Sequence, residues 1–356
     1  MPLREESSVS YSKASRDTLE NAAALGDSMA MFYLGRLYER GQEGKGIDDA
    51  VALYRESASR GNVHAHYILG CHQMRAGRSL AEALLHFEEG AKQAHPPSLC
   101  NLGMIYLRGS PDGTIKPDSV KGRTFLEHAV SLGHPHAAVE LGVLLLRSPQ
   151  TTDDGQESAE FARAMELFIG AAEKGDLDAI FHLATIYEQS ENKRRDRGES
   201  LENPRSFQLY ESAAQVGHAP SQAQLAKIYL DGQGAPRDLK KAISLLQGAV
   251  KQDHPMALCE LGFLMENGQG MERNLEDARQ LFERAAELGM PFSSFLEVQT
   301  HSHRSGYAPA LCHLGSLYYD GHGLEKDLKK AHRYYRLSAK QEFPPAYYML
   351  VNPSLE

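Results

Sequence analysis

The residues of this chain that could carry out covalent chemistry are few and scattered. A Ser-x-x-Lys pattern runs from Ser10 to Lys13 and has the spacing of some acyl-transfer nucleophiles. No second motif completes such a site, and the surrounding polar stretch is typical of a flexible tail. No Ser/His/Asp arrangement or nucleotide-binding fingerprint stands out elsewhere. We therefore expect no enzymatic activity, with hydrolase-like chemistry as the less favoured alternative.

Histidine pairs are the next candidates, because a His-x-His pattern can supply two ligands to a metal ion. Zinc requires three or four convergent ligands, and no cysteine or carboxylate lies at a suitable spacing near any pair. We therefore expect neither a metal nor another cofactor. The pairs are His64/His66, His134/His136 and His301/His303.

Three of the four cysteines, Cys100, Cys259 and Cys312, lie three residues before a recurring glycine. That glycine recurs once in each repeat of a block that occurs several times along the chain. Equivalent positions of neighbouring repeats lie about 10 Å apart, whereas a disulfide needs Cα atoms within about 7 Å of each other. We expect reduced, buried thiols. Such thiols favour an intracellular reducing compartment, with the cytoplasm preferred over the mitochondrion or the nucleus.

The charge balance restricts the classes of partner. The chain has 38 basic and 47 acidic side chains and a formal net charge of −9. Nucleic acids and anionic membranes both attract basic surfaces, so neither is expected as the main partner. No apolar run is long enough to cross a bilayer, so we expect no direct membrane insertion. The N-terminal residues have no hydrophobic segment of the kind that signal peptides contain.

A block of roughly 36 residues recurs along the chain. We number each repeat from the residue that ends the preceding helix, and we call that residue position 0. Position 4 is small, position 8 is leucine in all eight repeats and position 9 is glycine or alanine, a pattern that lets two helices approach closely. The position 0 residues are Gly26, Gly61, Ala94, Gly133, Gly175, Gly217, Asp253 and Gly306.

Each repeat is predicted to contain two helices. The first ends at a glycine, and the second begins after a capping residue such as Asp238, Asn274 or Asp327. Apolar residues spaced i, i+4 and i+7 then give the second helix a buried stripe. A lone second helix is expected at about 15–25, and another first helix is expected to begin at Pro344.

These residues carry a resemblance to a known family. The sequence A-x-x-x-L-G-x-x-Y-x-x-G-x-G, then D-x-x-x-A-x-x-x-aromatic-x-x-A-A-x-x-G, resembles the Sel1-like repeat, a relative of the tetratricopeptide repeat. The resemblance covers 15–350 and implies an all-α, right-handed superhelical solenoid of paired antiparallel helices, with about eight repeats and capping half-repeats. Flexible tails are expected at 1–14 and 351–356, and an insertion at 290–305. Members of such a family mostly act as adaptors.

Departures from the repeat indicate where a partner binds, because packing does not require them. Position 14 is arginine in the first four repeats, so stacked repeats would form a basic ladder suited to an acidic segment. Position 7 varies freely, which is typical of a residue lining a groove. Three loops, 110–117, 148–156 and 190–204, are longer than the minimum. The insertion contains apolar residues that either extend the preceding helix into the core or offer a hydrophobic contact to a partner. The candidate partner-binding residues are Arg40, Arg75, Arg108, Arg147, Tyr33, Asn101, His182, His313, Phe292 and Phe295.

The sequence therefore favours a non-enzymatic adaptor that binds a protein or peptide through its groove, loops or insertion. A regulatory or activating subunit of an enzyme or membrane complex is the alternative. Self-association also stays open, because repeat arrays can pair with one another.

Overall fold

The computed structural model describes residue 11 and residues 14–41, 45–75, 80–110, 113–151, 158–199, 204–288, 307–321 and 325–351. Eighteen α-helices account for most of these described residues. The helices fall into two compact units, which we call unit 1 (Met1–Ala171) and unit 2 (Ala172–Glu356).

Unit 1 contains eight helices and most of a ninth. They are α1 (Arg16–Ala24), α2 (Ser28–Glu39), α3 (Ile47–Ser59), α4 (Val63–Arg75), α5 (Leu80–Lys92), α6 (Pro96–Arg108), α7 (Ser119–Ser131), α8 (Pro135–Leu145) and α9 (Ala159–Glu173).

Unit 2 contains the remaining described helices. They are α10 (Leu177–Asp196), α11 (Arg205–Gln215), α12 (Ala219–Asp231), α13 (Leu239–Val250), α14 (Pro255–Asn267), α15 (Leu275–Leu288), α16 (Ala308–Asp320), α17 (Leu328–Ala339) and α18 (Pro344–Leu350). Even-numbered helices are the first helices of repeats, and odd-numbered helices are the second helices.

The two helices of a repeat lie against each other in antiparallel orientation. In α2 and α3, the Ser57 hydroxyl near the end of α3 donates to the Ser28 carbonyl at the start of α2, at 2.6 Å. The same bond joins Ser338 to the Ala308 carbonyl in α17 and α16, at 2.7 Å. Within each unit, second helices such as α3 and α13 also contact the first helix of the following repeat.

The small side chain at position 4 allows this close approach. Its relative exposure is 0% in all eight repeats, which is why a larger side chain would have no space there. These residues are Ala30, Ala65, Ser98, Ala137, Ala179, Ser221, Ala257 and Ala310.

The glycine at position 9 forms a notch that receives a large side chain of the second helix. A Cβ atom added to Gly35 would lie 2.7 Å from the Tyr54 ring, and one added to Gly262 would lie 2.8 Å from the Phe282 ring. Both rings are 0% exposed, and burying one ring contributes about 2 kcal/mol. The notch therefore fixes the separation of the paired helices. Similar close contacts occur at Gly70, Gly103, Gly142 and Gly315.

The turn before each first helix needs a left-handed backbone conformation at position 0. Gly26 and Gly217 adopt it with a φ angle of 90°, as a glycine can without strain from a Cβ atom. Ala94 and Asp253 hold the same position with φ angles of 53° and 58°. Glu342 does the same before α18, with a φ angle of 59°. Repeat geometry thus places three non-glycine residues in a conformation that their side chains disfavour.

The predicted all-α fold of paired helices is confirmed, including the lone second helix α1 and the first helix α18 that begins at Pro344. Ser15 caps α1 by accepting from the Thr18 backbone N–H. The insertion at 290–305, with Phe292 and Phe295, lies outside the described residues. Most of both predicted tails also lies outside them, so those boundaries stay predictions.

The notch predicts a position-specific effect of adding a methyl group. Gly35→Ala and Gly262→Ala should each lower the free energy of unfolding by about 1–3 kcal/mol, because the new Cβ atom clashes with a buried ring. Urea unfolding followed by circular dichroism measures the change. Gly170→Ala in α9 is the control, because an added Cβ meets nothing within 4 Å there. It should leave stability unchanged or raise it by up to about 1 kcal/mol, and an equal loss at all three glycines would contradict the notch.

Candidate protein-binding face

Most side chains at positions 7, 13 and 14 of the first helices are half-buried or exposed, and some, such as Tyr33 and Tyr319, pack against the edge of a core. Contacts between successive repeats join some of them. Glu39 at position 13 of α2 lies 3.3 Å from the His72 imidazole of α4, and Glu266 at position 13 of α14 lies 3.7 Å from His313 at position 7 of α16. We call these positions the first-helix row of each unit.

In unit 1, all four predicted arginines are exposed. Arg75 and Arg108 are the last residues of α4 and α6, whereas Arg40 directly follows α2 and Arg147 lies two residues after α8. The side chains of Arg40 and Arg75 make no hydrogen bond or ion pair with another described residue. A cation in the last helical turn is favoured by the helix dipole. The four residues, Arg40, Arg75, Arg108 and Arg147, form what we call the arginine row.

Part of the arginine row is neutralised within the chain. An Arg108 guanidinium nitrogen lies 3.9 Å from a Glu140 carboxylate oxygen of the next repeat, and the Arg108 side chain keeps 34% of its surface exposed. Burial lowers the pKa of Arg108 to about 10, which leaves the group charged near neutral pH. Burial also lowers the pKa of Arg147, while nearby Glu140 opposes that change. The sequence did not indicate this carboxylate.

The position 7 residues of unit 1 are half-buried. The Tyr33 ring lies 5.4 Å from the Phe32 ring, between centroids. The Asn101 amide donates a long, weak hydrogen bond of 3.8 Å to the Cys71 sulfur of the preceding repeat. Both side chains therefore contribute partly to packing and partly to the surface of the row.

The two predicted histidines of unit 2 differ in accessibility. His182 is only 6% exposed, and burial lowers its pKa to about 4. Its side chain therefore presents little surface to a partner. His313 is half-buried, stacks on the Phe282 ring at 4.9 Å between centroids and lies beside Phe263, which is 38% exposed.

Unit 2 also has acidic groups in its row that the sequence did not single out. The Tyr210 hydroxyl donates to Glu188 at 2.8 Å, and burial raises the pKa of Glu188. Burial likewise raises the pKa of Glu260, while Lys227 opposes both increases. Carboxylates held in a half-buried position favour a cation beside them.

A Sel1 repeat profile matches most of the chain, over residues 28–62, 96–134, 177–218, 219–254, 255–290 and 308–343. The chain belongs to the Sel1 repeat family. Sel1 repeat proteins are typically protein-interaction scaffolds. The repeats at 63–95 and 135–176, outside the match, still form helix pairs with the glycine notch at Gly70 and Gly142.

Solved structures support the Sel1 fold. A Sel1 repeat protein from Oxalobacter formigenes is 25% identical, with a TM-score of 0.51 over 98% of this chain and 96% of that one. A protective antigen of uropathogenic Escherichia coli, described as displaying an SLR fold, is 23% identical, with a TM-score of 0.52 over 95% of this chain and 67% of that one. No curated protein matches the chain.

One of the three predicted long loops is shorter than expected, because the first helix of its Sel1 repeat continues. Helix α10 extends to Asp196, so the prediction of a loop from 190 to 196 is wrong. Glu191, 7% exposed, explains the extension. Its carboxylate accepts the Arg205 backbone N–H at 2.7 Å and the Ser206 backbone N–H at 3.2 Å, and it also accepts the Ser206 hydroxyl. A buried glutamate thus caps α11.

The cysteines of the Sel1 repeats are buried or half-buried thiols, and His134 caps a helix. All four cysteines are free, and burial raises the pKa of Cys100 to about 12, which makes its thiolate scarce at neutral pH. His134 accepts the Ala137 backbone N–H through Nδ1 and so caps α8. Among the described residues, no group of three or more His, Cys, Asp or Glu side chains could hold a metal ion. None of the described helices combines the length and apolarity needed to cross a membrane.

Removing the Glu191 carboxylate should destabilise unit 2. Glu191→Ala leaves two backbone N–H groups of α11 and the Ser206 hydroxyl without their acceptor, and we expect a loss of about 1–3 kcal/mol in the free energy of unfolding. Urea unfolding measures it. Glu199→Ala is the exposed-pair control in unit 2, since its ion pair with Arg194 should contribute less than about 1 kcal/mol. Equal losses for both variants would rule out the capping role.

Burial of His254 predicts acid sensitivity. The side chain is 8% exposed and its pKa is lowered to about 4, so the unfolded chain binds a proton that the folded chain rejects. Its contribution to stability is complete above about pH 6.5 and is lost as the pH falls towards 4. His254→Asn should recover about 2 kcal/mol at about pH 5 relative to its effect at pH 8.

Asparagine suits this test because Asn62 holds the equivalent position and caps α4 by accepting the His64 backbone N–H. Unfolding measured across the pH range gives the comparison. An identical pH dependence in wild type and variant would contradict the prediction.

Proposed function

We propose that this Sel1 repeat protein is a non-enzymatic adaptor whose first-helix row holds a partner protein or peptide. The proposal rests on the separation of packing positions from exposed positions within each first helix. Positions 4, 8 and 9 are committed to packing, whereas position 14 is exposed in every repeat except at Gln189. Side chains that no core contact explains are available to bind a partner.

The arginine row supports an acidic segment as the ligand of unit 1. Arg40 and Arg75 have no partner among the described residues, and a guanidinium can bind a carboxylate through two parallel hydrogen bonds. One exposed ion pair contributes only about 0.2–1 kcal/mol. Recognition therefore depends on several arginines acting together, at the regular spacing that the repeats impose.

The tyrosines at position 12 lie outside this surface and have another role. The Lys121 ammonium lies 5.3 Å from the Tyr106 ring centroid, and the Lys330 ammonium lies 5.0 Å from the Tyr318 ring centroid. Each cation–π contact links a first helix to its own second helix and contributes about 0.5–1 kcal/mol. Such contacts support packing in the turn region rather than partner binding.

Charge reversal tests the proposed function. Changing Arg40, Arg75, Arg108 and Arg147 together to Glu should weaken binding of a fluorescent deca-glutamate peptide at least about tenfold, because attraction becomes repulsion. Fluorescence anisotropy at low salt measures binding. The same variant should lose the partners that immobilised wild type captures from cell extract.

The matched control reverses four arginines of unit 1 that lie in or directly after second helices, namely Arg55, Arg60, Arg123 and Arg163. It changes the net charge equally and leaves the arginine row intact, so it should keep most of the binding. Circular dichroism checks that both variants are folded. Peptide affinity that is equal in wild type and the row variant, or lost equally in both variants, would refute the role of the row.

A further inference from the structure

The first-helix rows of the two units carry opposite charges at related positions. Position 14 of unit 1 is arginine in each of its four repeats, whereas position 14 of unit 2 is aspartate or an amide. At positions 7, 10, 13 and 14 of α12, α14 and α16, Lys227 is the only lysine or arginine. We call four carboxylates of these helices the acidic row: Asp231, Glu260, Glu266 and Asp320.

Local electrostatics do not explain the two aspartates of this row. Asp231 and Asp320 are the last residues of α12 and α16, where the helix dipole places partial negative charge. A carboxylate at that end is unfavourable, whereas an arginine would be favoured there. The arginine row of unit 1 follows the dipole, and these aspartates oppose it.

Neither aspartate is paired with a cation in the described part of the chain. The Asp231 and Asp320 side chains are exposed and form no hydrogen bond or ion pair with any described residue. Glu260 is half-buried and likewise has no such partner in the described part of the chain. A cation supplied from outside would relieve both the unfavourable dipole and the half-buried charge.

We propose that the acidic row of one copy binds the arginine row of a second copy of this chain. The chain itself carries a surface complementary to the acidic row, because the two rows have charges of opposite sign. Both rows are built on first helices, so the same repeat sets the spacing of their charges. In α14, where position 14 is Asn267, Glu260 and Glu266 supply the carboxylates. The inference rests on the proposed function in that it identifies one acidic ligand of the arginine row.

Such an interface should be weak and sensitive to salt. Its four outermost contributors, Arg40, Arg75, Asp231 and Asp320, are all exposed, and exposed charges are largely screened beyond about 8 Å at physiological ionic strength. Wild type should therefore form dimers or larger assemblies at high protein concentration and low salt. The dissociation constant should rise about tenfold or more when salt is raised from about 0.05 to 0.5 M.

Complementary charge reversal tests the proposal directly. Variant A carries Arg40→Asp and Arg75→Asp, and variant B carries Asp231→Arg and Asp320→Arg. All four side chains are exposed, so both variants should fold, which circular dichroism checks. In sedimentation velocity at low salt, A alone and B alone should each be shifted towards monomer, because like charges then face one another. An equimolar mixture of A and B should associate again.

The control is Arg55→Asp with Arg123→Asp, on second helices α3 and α7, and it should associate like wild type. Wild type that stays monomeric at every concentration and salt would overturn the proposal. Association that A and B both retain would overturn it too, as would a mixture that stays monomeric. The deca-glutamate experiment separates the two conclusions. If the arginine row binds that peptide while wild type is monomeric, the adaptor function stands and self-recognition fails.

Discussion

The structure depends on the contact between the position 9 glycine of a first helix and a large side chain of its second helix. At Gly35 and Gly262 the ring approaches so closely that no Cβ atom fits, and the ring itself is fully buried. Each contact fixes one helix pair, and the small residue at position 4 completes the close approach. Because the same contact recurs, stability is distributed over neighbouring repeats rather than concentrated in one central core.

This packing leaves position 14 of the first helices free to change. A substitution at position 14 alters charge without disturbing the notch, so Arg75 and Asp231 can hold equivalent places in similar repeats. The same independence explains why His182 is buried while His313, also at position 7, is accessible from one side. The repeat fixes the backbone position of each side chain, and the neighbouring residues determine how much of that side chain is exposed to solvent.

Features that recur could be predicted from the sequence, and features that occur once could not. The small residues, the notch glycines and the left-handed turns repeat, so comparing repeats reveals them, even where Ala94 replaces glycine. Glu191 escaped notice because it lies beyond the repeat pattern and caps a helix that begins fourteen residues later. The contact of Arg108 with Glu140 was missed for a similar reason, since it joins different positions of adjacent repeats. Such contacts depend on three-dimensional neighbours that no single position reveals.

The regular stacking of first helices also determines what an extended ligand can present. Successive repeats lie about 10 Å apart, and an extended peptide advances about 3.3 Å per residue. One repeat therefore corresponds to about three ligand residues, so every third side chain of a bound strand would meet an equivalent position 14. A partner is then recognised by the positions of its charges relative to the repeat spacing as well as by the number of charges. Shifting the acidic residues of a peptide by one place, at constant composition, would move them out of step with Arg40, Arg75 and Arg108.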